Sequence, residues 1–114
     1  MGETIFSKII AREIPADIVF EDEQVLAFRD ISPQAPVHVL FIPKTAYATL
    51  DEVPAGESEL LGRLLLAAAQ YARQQGFAKD GYRLVMNVNQ DGGQTVFHVH
   101  LHLLAGRAMH GKFG

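Results

Sequence analysis

The chain has 114 residues, 48% hydrophobic and 20% charged, which suits one compact domain spanning residues 1–114. Its net charge of -3 and pI of about 5.9 leave no global basic footprint and argue against generic nucleic-acid binding. The absence of cysteine removes disulfides and thiolate metal sites. There is no positive region followed by an apolar run at Met1-Gly2-Glu3-Thr4-Ile5, and the stretch Leu64 to Ala69 is too short to cross a bilayer, so a cytoplasmic protein with no membrane partner is expected.

Ile5, Phe6, Ile9 and Ile10 recur at helical spacing, so residues 4–12 are expected to form a short helix, capped by Thr4 and ended by Pro15. Ile18-Val19-Phe20-Glu21 and Val25-Leu26-Ala27-Phe28-Arg29 read as two strands around the short turn Asp22-Glu23-Gln24. A proline-punctuated loop, residues 31–36, leads into the apolar strand Val37 to Ile42, closed by Pro43. Residues 57–75 carry the clearest helical stripe, made of Leu60, Leu61, Leu64, Leu65, Ala68, Ala69 and Ala72, with Gly76 as its stop. Tyr82 to Val88 reads as a fourth strand. The polar glycine turn 90–94 follows, and Phe97 to Leu104 reads as a fifth strand. Residues 105–114 show no period. Short strand connections favour antiparallel pairing. The expected class is α+β: a five-stranded antiparallel sheet with one short and one long helix on one face.

The segment His98-Val99-His100-Leu101-His102 is the most unusual in the chain. Side chains alternate along a strand, so the three histidines share one face and Val99, Leu101 and Leu103 face the core. Three readings compete. The histidines can be half-buried polar residues on a wet sheet face. They can hold a metal, though i and i+4 lie about 13 Å apart on a strand while each Zn–N bond is about 2.0–2.1 Å; a further ligand such as His38, Asp30 or Asp91 is then needed. Or the central imidazole is a nucleophile toward phosphorus, with a backbone carbonyl fixing its tautomer and its neighbours stabilising negative charge.

Other residues accompany the run. The turn Asp91-Gly92-Gly93-Gln94-Thr95-Val96 places two glycines and a hydroxyl before the histidines, as an anion-binding loop or an ordinary hairpin turn. Asn87 lies on the neighbouring strand, facing either the site or solvent. His38 sits in an apolar strand as a fourth imidazole. Asp30 caps a turn or accepts from ribose hydroxyls. Ile5, Phe6, Ile9 and Phe28 are core residues or a dry slot for a flat base.

Taken together, these residues resemble the histidine-triad (HIT) family, and most closely its Hint branch. His98 to Leu104 matches the motif His-φ-His-φ-His-φ-φ in full, φ being apolar. Thr4 to Ile10, Glu13 to Ala16, Ala27 to His38, Ile42 to Lys44 and Asp91 to Phe97 match as well, with Thr95 where serine is common. The resemblance implies a homodimer whose sheets join into ten strands, a purine nucleoside monophosphate site, and hydrolysis of nucleoside phosphoramidates without cofactor or metal. It makes His100 the nucleophile, oriented by His98. It gives the phosphate to His102, Thr95 and the nearby backbone at Gly93 and Val96, with Asn87 beside it. His38 supports the triad, Asp30 binds ribose, and Ile5, Phe6, Ile9, Phe28 and Ile31 form the base pocket. Two departures stand out. Met109-His110 is followed by Gly111-Lys112-Phe113-Gly114 and not by a Trp-Pro-Pro-Gly-like segment, and the metal-binding cysteines of some bacterial relatives are missing. Two rival functions stay open: a nucleotide-binding interaction module with vestigial hydrolysis, and a dinucleoside polyphosphate hydrolase or nucleotidyl transferase.

Overall fold

Thr4 opens the first helix, α1 (Ile5–Ile10), through a reciprocal capping box. Its hydroxyl accepts from the Ser7 N–H at 3.1 Å, and Ser7 Oγ accepts from the Thr4 N–H at 2.8 Å. The helix is shorter than residues 4–12, and Pro15 is not what ends it. Arg12 adopts a left-handed φ of 63°. The N–H groups of Arg12 and Glu13 then reach back to the carbonyls of Ile9 and Lys8 at 3.0 and 2.9 Å, the pairing of a Schellman terminus. The computed structural model describes residues 3–111. Readings that touch Met1, Gly2 and the tail residues Lys112, Phe113 and Gly114 lie outside them.

Five strands follow: β1 (Ile18–Glu21), β2 (Val25–Arg29), β3 (Val37–Pro43), β4 (Arg83–Val85) and β5 (Leu101–Ala105). They form one sheet in the order β1-β2-β3-β5-β4, with every neighbouring pair antiparallel. The expected α+β class and five-stranded antiparallel sheet are therefore present. Asp22 Oδ1 closes the β1–β2 hairpin by accepting from the N–H groups of Gln24 and Val25, both at 2.8 Å. Between β3 and β4 the chain passes through two short 3-10 turns and the long helix α2 (Ser58–Gln75). Gly76 ends α2 at a left-handed φ of 90°.

Three expectations need correction. First, the helices do not share a face. Leu64, Ala68, Tyr71 and Ala72 of α2 pack with Val25, Ala27, Val39, Phe41, Leu101 and Leu103. Phe6 and Ile9 of α1 pack with Leu26, Phe28, Leu40 and Ile42 on the opposite side. The reason lies in β2 and β3, which are buried at consecutive positions; strands apolar on both faces need cover on both. Second, the buried stripe of α2 is rotated from the expected one. Ala67 and Tyr71 are buried, whereas Leu65 is 48% exposed and Leu66 69%.

Third, β4 covers only Arg83–Val85 and β5 begins at Leu101, so His98 and His100 precede the strand and only His102 lies within it. Phe41 pairs with Leu101, and continuing that register would set Pro43 opposite Val99. Pro43 has no N–H to give a ladder. Its carbonyl accepts instead from His98 Nε2 at 2.8 Å, while the Val99 N–H donates to the Tyr47 carbonyl at 2.8 Å. The alternation nonetheless persists, since Val99, Leu101 and Leu103 all enter the α2-side core.

Leu64 is 1% exposed and central to that core. Leu64→Ala should lower unfolding free energy by about 2–5 kcal/mol through lost transfer energy and a residual cavity, as read from urea denaturation.

Candidate active site

The hydrogen-bond partners of the four imidazoles fix their tautomers. A carbonyl only accepts, so His98 carries its proton on Nε2, which donates to the Pro43 carbonyl. For the same reason His100 carries its proton on Nδ1, which donates to the His98 carbonyl at 2.7 Å. The lone pair of His100 is thus on Nε2. The expected orienting bond from His98 exists, but its backbone supplies it and its ring does not. At His38 the direction reverses. The Gln34 N–H donates to His38 Nδ1 at 3.0 Å, so the His38 proton sits on Nε2 and is donated to His102 Nδ1 at 2.9 Å. His102 is left with Nε2–H. Among the described residues only Thr49 Oγ1 is a buried side-chain polar atom without a partner. Nε2 of His100 and of His102, which have no protein partner, are therefore reached from outside.

What they face is a cleft of about 330 Å³ between α1, the segment Ile14-Pro15-Ala16, the Asp30–Ile31 corner and the Thr95–His102 segment. The structure brings Ile5, Phe6, Ile9, Phe28, Asp30, Ile31, Thr95, Val96, His100 and His102 to its wall. The ring of Phe6 meets that of His100 edge-on at 5.0 Å between centroids, so α1 buttresses the imidazole. His98 lies behind the wall and is buried. His38 also stands outside it and acts on the cleft through His102, its ring 5.1 Å away. Of the two roles open to Asp30, the structure displays the turn cap. Oδ1 accepts from the Ser32 N–H at 2.7 Å as a turn cap, and Oδ2 lies 3.6 Å from His38 Nε2.

Asn87 and Gly93 are not on the wall. Asn87 follows β4 and is half-buried, whereas Gly93 is exposed in the turn. The N–H groups of Gly93 and Gln94 are spent inside that turn, on the carbonyls of Gln90 and Asn89 at 3.0 and 3.1 Å, so neither is free for an anion. Gly92 is needed for a different reason: a Cβ there would lie 2.4 Å from the Val88 carbonyl oxygen.

Sequence reasoning missed several residues that build the site. Gln94 is buried, and its side chain joins three backbone segments: Oε1 accepts from the Asn89 N–H at 2.9 Å, and Nε2 donates to the carbonyls of Ala48 and Val96 at 2.8 and 3.1 Å. Its position between a glycine pair and a polar threonine resembles any turn glutamine, so only its burial distinguishes it. Ile14, Pro15, Ala16, Arg29 and Leu40 also line the cleft. The first three read as a connector because no period marks them.

Asp30, His38 and His102 bring ligand-type atoms within 4.8 Å of one another, as a metal site would. Their hydrogen bonds favour a proton there. The Gln34 N–H holds His38 Nδ1 unprotonated, so an ion on Nε2 would need either an imidazolate or the loss of that bond.

All four histidines are pushed below the usual imidazole pKa, chiefly by burial. Burial, followed by the neighbouring His100 and His38, brings His102 down to about 4, against the opposing pull of the Asp30 carboxylate. Near pH 7 the set is neutral and the His100 lone pair is available without deprotonation. The unfolded chain binds protons near the ordinary imidazole value of 6.5, before the folded chain does. This stability is therefore complete above pH 6.5 and lost as pH falls toward about 4. The urea midpoint should drop steadily across that window; a flat midpoint from pH 6.5 to 4.5 would contradict the neutral set.

Comparison with known proteins agrees with this geometry. A family model described as the HIT domain matches residues 11–109. The chain is 58% identical over 107 residues to a protein of Escherichia coli (strain K12) named purine nucleoside phosphoramidase, covering 94% of this chain and 90% of that protein. A HIT family hydrolase from Legionella pneumophila superposes with a TM-score of 0.92 at 54% identity, covering 95% of this chain and 96% of that one. A histidine triad protein from Clostridium difficile gives 0.94 at 38% identity, over 98% and 99% of the two chains. With most of its length matched by the family model and a relative 58% identical over 107 residues, this chain belongs to the HIT family.

Proposed function

We propose that this protein hydrolyses purine nucleoside 5′-phosphoramidates through a nucleotidyl-histidine intermediate on His100. The observation that carries the reading is the His100 ring itself, with Nδ1–H tied to the His98 carbonyl and Nε2 free at the cleft. The Escherichia coli relative's name supports the substrate class.

In the first step His100 Nε2 attacks the α-phosphorus, an N–P bond forms, and the substrate's P–N bond breaks. The departing nitrogen takes one proton from solvent, relayed by water or by His102. In the second step water attacks the nucleotidyl-histidine, releases the nucleoside monophosphate and returns one proton to solvent. His100 ends neutral, as it began. One hard displacement becomes two easier ones. His102 Nε2–H and the Thr95 hydroxyl are donors for the phosphate oxygens, with Val96 beside them. Asp30 Oδ2 accepts from ribose. Ile5, Phe6, Ile9, Phe28 and Ile31 hold the purine by apolar contact. His38 keeps His102 in its donating tautomer. Gly93 serves by shaping the turn, and Asn87, half-buried after β4, is assigned a place beside the phosphate.

The reading includes a single HIT domain over residues 1–114, cytoplasmic placement and a homodimer. No helix among the described residues is long and apolar enough to cross a membrane. β4 is an edge strand of the sheet, which leaves one side unpaired within the chain, and exposed Leu65 and Leu66 on α2 add apolar surface. Light scattering should give twice the mass of a 12.5 kDa chain; a monomer at micromolar concentration would reject the dimer.

Intact-protein mass spectrometry after rapid mixing with an adenosine 5′-phosphoramidate tests the chemistry. A transient adduct of nucleotidyl mass is expected only when His100 is present. His100→Ala should lower turnover by about a thousandfold or more while monophosphate binding is largely kept. Turnover near the wild-type rate in His100→Ala would reject the assignment. Tight monophosphate binding with no hydrolysis by the wild type would favour a binding module.

A further inference from the structure

The segment after β5 carries no motif, yet it is held against the site at several points. Gly106 has a φ of 100°, and a Cβ on it would lie 2.8 Å from Pro36 Cβ, so the backbone passes flat against that proline. Arg107 follows at once. Its guanidinium forks, with Nη1 donating to the Ala108 carbonyl at 3.0 Å and Nη2 donating to the Gln34 carbonyl at 2.9 Å. Further along, Arg83 Nη1 donates to the His110 carbonyl at 3.2 Å, which tethers the tail to β4.

Gln34 is where this matters. Its carbonyl is held by Arg107, its side-chain amide donates to the Ser32 carbonyl at 3.0 Å, and its own N–H donates to His38 Nδ1 at 3.0 Å. That last bond decides which nitrogen of His38 bears the proton. His38 Nε2–H in turn decides the tautomer of His102 through their 2.9 Å contact. The Gln34 amide thus governs a proton two rings away, and it lies in an exposed loop whose carbonyl grip comes from the tail.

We propose that Arg107 is a positioning residue for the His38–His102 pair. It clamps Gln34 so that the amide stays on His38 Nδ1 and His102 presents Nε2–H to the cleft. Arg107 is not on the cleft wall, so it acts on the proton arrangement and not on substrate affinity. The consequence for turnover rests on the function proposed above; the consequence for the tautomers does not.

Arg107→Met keeps the aliphatic stem and removes the donors, and Arg107→Lys keeps one donor on a flexible stem. Nitrogen NMR of the histidine rings, with hydrogen exchange at the Gln34 amide, reads the clamp in the absence of substrate. In the wild type His38 should be a single Nε2–H tautomer. In Arg107→Met the Gln34 amide should exchange about fivefold faster, His38 should become a mixture of tautomers, and kcat should fall about fivefold with KM within about twofold, the effect of one ordinary hydrogen bond. Arg107→Lys should recover part of each. An unchanged His38 tautomer and unchanged Gln34 exchange in Arg107→Met would overturn the proposal, as would a loss of kcat without any change in the ring signals. Mixed tautomers in Arg107→Met, combined with no turnover by the wild type, would uphold the clamp and reject the phosphoramidate reading.

Discussion

Pro43 has no amide hydrogen, and the geometry of the site follows from that. A ladder between β3 and β5 cannot continue through it, so His98 lies outside the sheet, three residues before β5 begins its pairing at Phe41 and Leu101. The Pro43 carbonyl, unused by a strand, takes the His98 imidazole. The Val99 amide turns to Tyr47. The His98 carbonyl, on the side where the short β4 no longer reaches, becomes the acceptor that holds His100 Nδ1. Had the strand run on as a regular ribbon, that carbonyl would have faced a neighbouring amide. The aim of the His100 ring is a by-product of where the sheet stops.

The second constraint is the burial of neutral imidazoles. A buried ring with two nitrogens must find a donor and an acceptor or leave one nitrogen open. Here the choice is made by backbone groups, namely the carbonyls of Pro43 and His98 and the amide of Gln34. Backbone partners cannot titrate as side chains do, so the tautomers hold as long as the fold keeps those groups in place. Burial then keeps the rings uncharged, with His102 the most strongly affected. Three uncharged imidazoles, His38, His100 and His102, are thereby crowded beside the Asp30 carboxylate.

Much of this was legible in the residues. Thr4 at the helix start, Asp22 in the hairpin, Gly76 after the long helix and the alternation of His98 to Leu103 each report a local rule that the structure keeps. The cleft residues came from the resemblance to the HIT family, the residues alone leaving Ile5, Phe6, Ile9 and Phe28 as core or slot. What was not legible depends on packing between distant segments. The side on which α1 settles depends on β2 and β3 being apolar on both faces, a fact visible in Val25 to Phe28 but easily overruled by the picture of a half-wet sheet. The stripe of α2 is shifted by Tyr71, which outcompetes Leu65 for the core. The work of Gln94 and Gln34 is done by amides meeting carbonyls and rings from far along the chain, which no local pattern encodes.

The short first helix carries one more implication. Six residues are too few to hold a helix alone in water, so α1 stands only because Phe6 and Ile9 rest on the sheet and on the rings beside it. The same two side chains form part of the wall that an occupant of the cleft would touch. Any occupant of the cleft would add its contacts to theirs. Occupancy and the anchoring of the N-terminal segment are then one equilibrium seen from two ends. Whatever loosens that segment weakens the grip on ligand by the same free energy that ligand would spend in fastening it.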